Sequence, residues 1–183
     1  MIKKAEREIE MTRKEEYINF HCPRWEEFPD VELYADQVLS VVQRHVSFFN
    51  REIEMTFTSH MINNYVKQKI VKPPVNKKYD RVHLAYFVVV CVFKQFLPIS
   101  EICEVIAYLM KTRSVKELYD IFCDELESAL KNVFAPESYS RRFSPEDNDE
   151  TKIIRASAYT FANLAYTKYI VNEIIESKSS ETL

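Results

Sequence analysis

The chain has 183 residues, 46% of them hydrophobic and 29% charged, and its 25 basic and 28 acidic side chains leave a net charge of −3. That length supports one sizeable core, and the composition is that of a folded domain and not of a disordered one. Glycine is absent, which excludes Walker loops, dinucleotide fingerprints and kinase lids, all of which need close backbone approach or positive φ, and disfavours a hairpin-rich β fold.

Residues 1–20 are charged, with apolar Ile2, Ala5 and Ile9, and read as a loosely packed helix or mobile arm without the apolar core of a secretory leader. Cys22, Cys91, Cys103 and Cys123 stand outside any C-x-x-C spacing, so free thiols in a reducing, cytoplasmic compartment are expected. The longest apolar run, Leu84 to Phe93, is half a membrane span, and a soluble protein is expected. The segment from His21 to Asp30 holds the sole tryptophan, Trp25, and reads as an irregular connector pinned by aromatics. Asp30 can cap a helix from Val31 to about Asn50, with Leu33, Tyr34, Val38, Val41, Val42, Phe48 and Phe49 inward.

Thr58 or Ser59 caps the next helix, which ends near Gln68. Its wheel separates Met61, Ile62, Tyr65 and Val66 from His60, Asn63, Asn64 and Lys67, one buried face and one exposed. Pro73 and Pro74 forbid a helix in the following stretch and leave a small two-stranded wing or an extended loop. Arg81 to Phe96 is apolar nearly all round at its centre; its valines alone would permit a buried strand, and its length, with Arg81, His83, Lys94 and Gln95 at the ends, favours a central buried helix. Ile99, Ile102, Ile106 and Leu109 hold the period of another, and a further one follows Ser114 with Leu118, Phe122, Leu126 and Leu130 inward. After a polar loop, Ala135 to Asp149, a last helix runs to about Ser177, with Ala156, Ala158, Ala162 and Ala165 small enough to admit a close neighbour.

Charge is unevenly spread along this order. Between Thr56 and Lys94 stand Lys67, Lys69, Lys72, Lys77, Lys78, Arg81 and Lys94 against the single acid Asp80, a local excess of +6, so the remainder of a chain of net −3 carries −9. A basic island in an acidic protein is a place for a polyanion to dock.

The run Met61-Ile62-Asn63-Asn64-Tyr65-Val66-Lys67-Gln68-Lys69-Ile70-Val71-Lys72-Pro73 resembles the recognition helix of MerR-type winged helix-turn-helix regulators. Tyr65 falls on the second of that family's paired tyrosines, Lys67 on an arginine, Ile70-Val71 on a leucine pair and Pro73 on a proline. Lys77 and Tyr79 stand at the wing arginine and tyrosine. The chain departs from the pattern at Asn63 for arginine, Asn64 for the first tyrosine and Lys69 for the helix-ending glycine. The similarity covers about Thr58 to Leu109. The phrase from Met61 to Tyr79 also resembles domain of unknown function 1836, a bacterial family with no established activity, from about Trp25 to the C-terminal helix.

An all-α fold is therefore expected, a winged helix-turn-helix with a small β wing plus a C-terminal helical bundle. Residues 1–24 would form the charged arm, 25–111 the winged domain and 112–183 a dimerisation or regulatory part. His60, Asn63, Asn64 and Lys67 are the candidate base contacts, since asparagine can pair with adenine N6 and N7 and lysine can reach guanine or phosphate. Thr58, Ser59, Lys69, Lys72, Lys77, Lys78 and Arg81 are the candidate phosphate contacts. A solvated polar helix face is the plain alternative. The partners implied are double-stranded DNA and a second copy of the chain, paired through the C-terminal helices, with no membrane. Cys22 beside His21 lacks a further ligand at metal spacing, the other cysteines fall on apolar faces, and no nucleophile has a base nearby. No metal or cofactor is expected, and the chain does not read as an enzyme. The reading is a dimeric DNA-binding transcriptional regulator; its rival is a helical protein-interaction module that no longer binds DNA.

Overall fold

The structure, a computed structural model, describes residues 11–139 and 148–180. Its described elements are all helical: α1 Arg13–Ile18, α2 Ala35–Val46, α3 Ser59–Lys67, α4 Arg81–Phe93, α5 Ile99–Leu109, α6 Val115–Phe134 and α7 Asp149–Ser180, with single 3₁₀ turns at Trp25–Glu27 and Ser47–Arg51. Much of the expected arm, residues 1–10, and most of the expected polar loop, 140–147, lie outside the described residues.

Most helices begin where a side chain can satisfy the orphan N–H groups of a first turn. Thr12 and Ser114 form reciprocal capping boxes with Glu15 and Glu117, and the Thr58 hydroxyl accepts from Met61 N–H. Asp80 caps α4 by accepting from His83 N–H at 3.2 Å. The start of α2 differs from the sequence expectation. Asp30 does not cap it, and the helix opens only at Ala35, because Leu33 exchanges two backbone hydrogen bonds with Tyr79, each 2.8 Å. A residue committed to an antiparallel bridge cannot also take helical dihedrals. Tyr34 becomes the cap residue, its N–H satisfied by the Gln37 side chain.

The expected β wing is smaller than a sheet. Val75 bridges Lys78 and Leu33 bridges Tyr79, and no strand extends from either bridge among the described residues. Asn76 and Lys77 both have positive φ, 49° and 62°, and Lys78 N–H closes the turn on Val75 C=O at 2.8 Å. That is the two-residue hairpin turn with both central residues left-handed, here made without glycine.

One continuous apolar core ties these parts together. α4 is its axis, packed on α2 and α6, with Leu84, Phe87, Val90 and Cys91 at or below 1% exposure. α6 and α7 lie parallel. Glu125 pairs with Arg155, Asn132 with Tyr159, and Phe134 with Tyr166 and Tyr169, each contact further along both helices. Ala158, Ala162 and Ala165 are fully buried and allow the close approach, whereas Ala156 is exposed. Between them runs a buried two-pronged ion pair, Arg155 Nε to Glu125 Oε2 at 2.9 Å and Nη2 to Oε1 at 3.0 Å.

The N-terminal strap closes over this pair. Tyr17 stacks on Phe134 with ring centroids 4.2 Å apart, and its hydroxyl donates to the buried Glu52 carboxylate. Burial and that bond push the phenol well above its ordinary range. No helix of the described residues is long and apolar enough to cross a membrane.

Candidate nucleic-acid interface

The inner face of α3 is fixed before its outer face can be useful. Ile62 is fully buried and Tyr65 is 6% exposed. Tyr65 lies 6.3 Å from Phe87 of α4, and Phe57 and Tyr79 lie 5.4 Å and 6.2 Å from the same ring. Phe87 thus gathers α3, the segment before it and the hairpin around one side chain. Desolvation raises the Tyr65 phenol far above its usual value, so it stays neutral and acts as a packing residue.

His60, Asn63 and Lys67 are exposed on the opposite side and Asn64 is half-buried beside them. Ser59 is exposed at the helix start, and the Thr58 hydroxyl is half-buried in its capping bond. The structure therefore brings the four candidate base contacts onto one helix face.

α3 ends in a way that puts Lys69 beside that face. Ile70 N–H bonds Tyr65 C=O at 3.0 Å and Lys69 N–H bonds Val66 C=O at 3.0 Å, a Schellman closure with Lys69 left-handed at φ 59°. Buried Ile70 and Tyr65 make the apolar contact that accompanies such an end. The glycine position of the resembled motif is thus a true left-handed position, occupied by lysine.

Lys72 C=O is then held by His83 Nε2 at 3.0 Å. A carbonyl only accepts, so Nε2 carries the proton and the buried imidazole fastens the loop to α4. The other ring nitrogen, Nδ1, lies 2.6 Å from Asp80 Oδ1.

Lys67, Lys69, Lys72 and Lys77 are exposed and Lys78 is half-buried, and none of the five has an ion-pair partner among the described residues. Arg81 differs. Its guanidinium reaches Glu26 at 2.9 Å, Asp30 at 3.6 Å and Pro29 C=O at 3.4 Å, so its charge is neutralised by the connector. Lys94 donates to Thr56 C=O at 2.8 Å and caps the approach to α3. Of the basic island only Arg81 is neutralised; Lys94 keeps its charge but is tied to Thr56 C=O, and the other five lysines make up the candidate patch.

A family model described as a domain of unknown function (DUF1836) matches residues 23–122. The chain belongs to this family. The DUF1836 region holds the whole candidate interface, from the connector that neutralises Arg81 through the hairpin and α5 into α6. It ends at Phe122, short of the last helix to which the resemblance was expected to run. No curated protein and no solved structure matches the chain.

Two contributors escaped sequence reasoning. His83 fixes the loop, and its signal was the capping spacing Asp80-x-x-His83. Tyr34 lies under Lys78, whose Nζ is 5.7 Å from the ring centroid, a proximity that no local pattern encodes. Around Cys22 and His21, and elsewhere in the described residues, no cluster of three or more His, Cys, Asp or Glu side chains could hold a metal ion.

Proposed function

We propose that this chain is a DNA-binding transcriptional regulator that sets the outer face of α3 in the major groove of duplex DNA. The observation that supports this best is five lysines without carboxylate partners, gathered around a polar helix face whose reverse side is locked into the core. Asn63 and Asn64 carry the paired donor and acceptor that adenine presents for, and His60 and Lys67 reach guanine acceptors or phosphate. Lys69, Lys72, Lys77 and Lys78, with Thr58 and Ser59, take the flanking phosphates and set the register. Arg81 shapes the loop from beneath. In this reading α2 and α3 form the helix-turn-helix and the Val75–Lys78 hairpin is a reduced wing. Two chains joined through the C-terminal helices would offer two such faces to a pseudo-palindromic site.

A second reading, a helical protein-interaction module, is favoured by the end of α7. Ile170, Val171, Ile174 and Ile175 are 38–57% exposed there, after Tyr169, whose ring packs on Phe134 of α6. Fluorescence anisotropy with mixed duplex DNA at low salt separates the two. The regulator binds, and Lys67→Glu, Lys77→Glu and Lys78→Glu together abolish the signal. A folded chain that binds no duplex at low salt leaves the interaction module.

A further inference from the structure

Val75 and Tyr34 are exposed by 67% and 53%, unusually high for large apolar side chains. Both belong to one row fixed by the backbone. Leu33 and Tyr79 pair antiparallel and turn inward, with 7% and 5% exposure. Side chains alternate across a pleated pair, so the neighbouring pair, Tyr34 and Lys78, turns outward. Lys78 also bridges Val75 across the hairpin turn. Val75, Lys78 and Tyr34 therefore stand side by side on the outer surface of the hairpin, with the ammonium 5.7 Å from the centre of the tyrosine ring.

We infer that Tyr34, which lies outside the basic island, is a positioning residue of the nucleic-acid face. Its ring holds the Lys78 ammonium beside the hairpin tip, and the row Val75–Lys78–Tyr34 lies along one sugar-phosphate strand. The ring face is electron-rich and attracts the cation, so Lys78 is held by a ring contact that the other four lysines lack among the described residues. Its ammonium meets a phosphate oxygen, and Val75 and the ring edge meet deoxyribose carbons. This inference rests on the DNA-binding reading and adds to it a residue that charge alone would not select.

Its test is a double-mutant cycle on the full chain, read by equilibrium binding to a short mixed-sequence duplex at low salt. Tyr34→Ala weakens binding about two- to five-fold, the range of an exposed cation–π contact, and Tyr34→Phe retains it. In a Lys78→Ala background Tyr34→Ala adds nothing. Tyr34→Leu keeps the bulk but not the ring face, and it loses as much as Tyr34→Ala with an unchanged melting temperature. Wild-type affinity in Tyr34→Leu, or effects of Tyr34→Ala and Lys78→Ala that simply add, overturns the inference while the DNA reading stands. If the unmodified chain binds no duplex, both fall together.

Discussion

Lys69 and Lys77 hold left-handed backbone, at φ 59° and 62°, where a side chain crowds the following carbonyl and costs roughly 1–2 kcal/mol per residue relative to right-handed helical backbone. All three described non-glycine residues at positive φ fall in residues 69–77, in the middle of the candidate interface. Lys69→Gly and Lys77→Gly should each raise stability by about 1 kcal/mol and each weaken DNA binding, a trade-off readable from urea melts and anisotropy on the same samples. A substitution that stabilises without loss of affinity would remove that lysine from the interface. The position of Lys69 was legible in the sequence, because the resembled motif places glycine there. Arg81 was not, because Glu26 and Asp30 lie some fifty residues earlier and a local charge count cannot see them.

His45 makes the fold sensitive to pH just below neutrality. Its Nδ1 lies 2.7 Å from Val41 C=O and so carries the proton, and Nε2 is buried with no partner. Burial lowers its pKa below the ordinary value, against the pull of the Val41 carbonyl. An unfolded imidazole titrates near about 6.5. Below that pH the unfolded chain takes up a proton that the folded chain resists. Stability is therefore full above about pH 6.5 and is lost as pH falls toward the depressed folded value. His45→Phe should flatten the urea midpoint between about pH 7 and pH 5, while the loss at lower pH persists. That loss belongs to carboxylates such as Glu127, which is pulled down by Arg24 and Cys22 N–H against its own burial.

At the scale of elements, the proposed interface should depend on Phe87 more than on any lysine. It is fully buried and lies within ring-contact distance of Phe57, Tyr65, Tyr79 and His83. Phe87→Ala should cost about 3–5 kcal/mol in chemical denaturation and release α3 and the hairpin from their common support, so DNA binding should fall further than any single lysine change produces. The α6–α7 pair offers a contrasting case. Glu125→Ala removes the two buried bonds to Arg155 and should cost about 1.5–3 kcal/mol, yet it lies in the other half of the chain and should leave DNA affinity of the folded fraction unchanged.

The helices themselves were legible element by element, from Thr58, Ser114, the length of the apolar run in α4, the apolar period of α5 and α6 and the wide apolar surface of α7. What misled was the start of α2. Asp30 before an apolar run is a sound local signal, but the Leu33–Tyr79 bridge is a contact between distant segments and overrides it. The same bridge explains why the expected wing shrank to a turn. Its outer segment pairs with the entry to α2 through a single residue, and two prolines precede it.

For the whole molecule, net charge and local charge point in opposite directions. A chain of net −3 is a poor nonspecific partner for DNA, and the proposed binding needs a concentrated patch. Neutralisation of Arg81 by the connector and the tie of Lys94 to Thr56 C=O leave five lysines as that patch, fewer than the seven basic residues of the linear segment. The most direct measurement is the dependence of DNA affinity on salt for the unmodified chain. If all five lysines meet phosphates, log Kobs against log[salt] should fall with a slope of about −4 to −5 per bound chain, at roughly −0.9 for each phosphate neutralised. A slope near zero, or no binding at about 50 mM salt, would contradict the account.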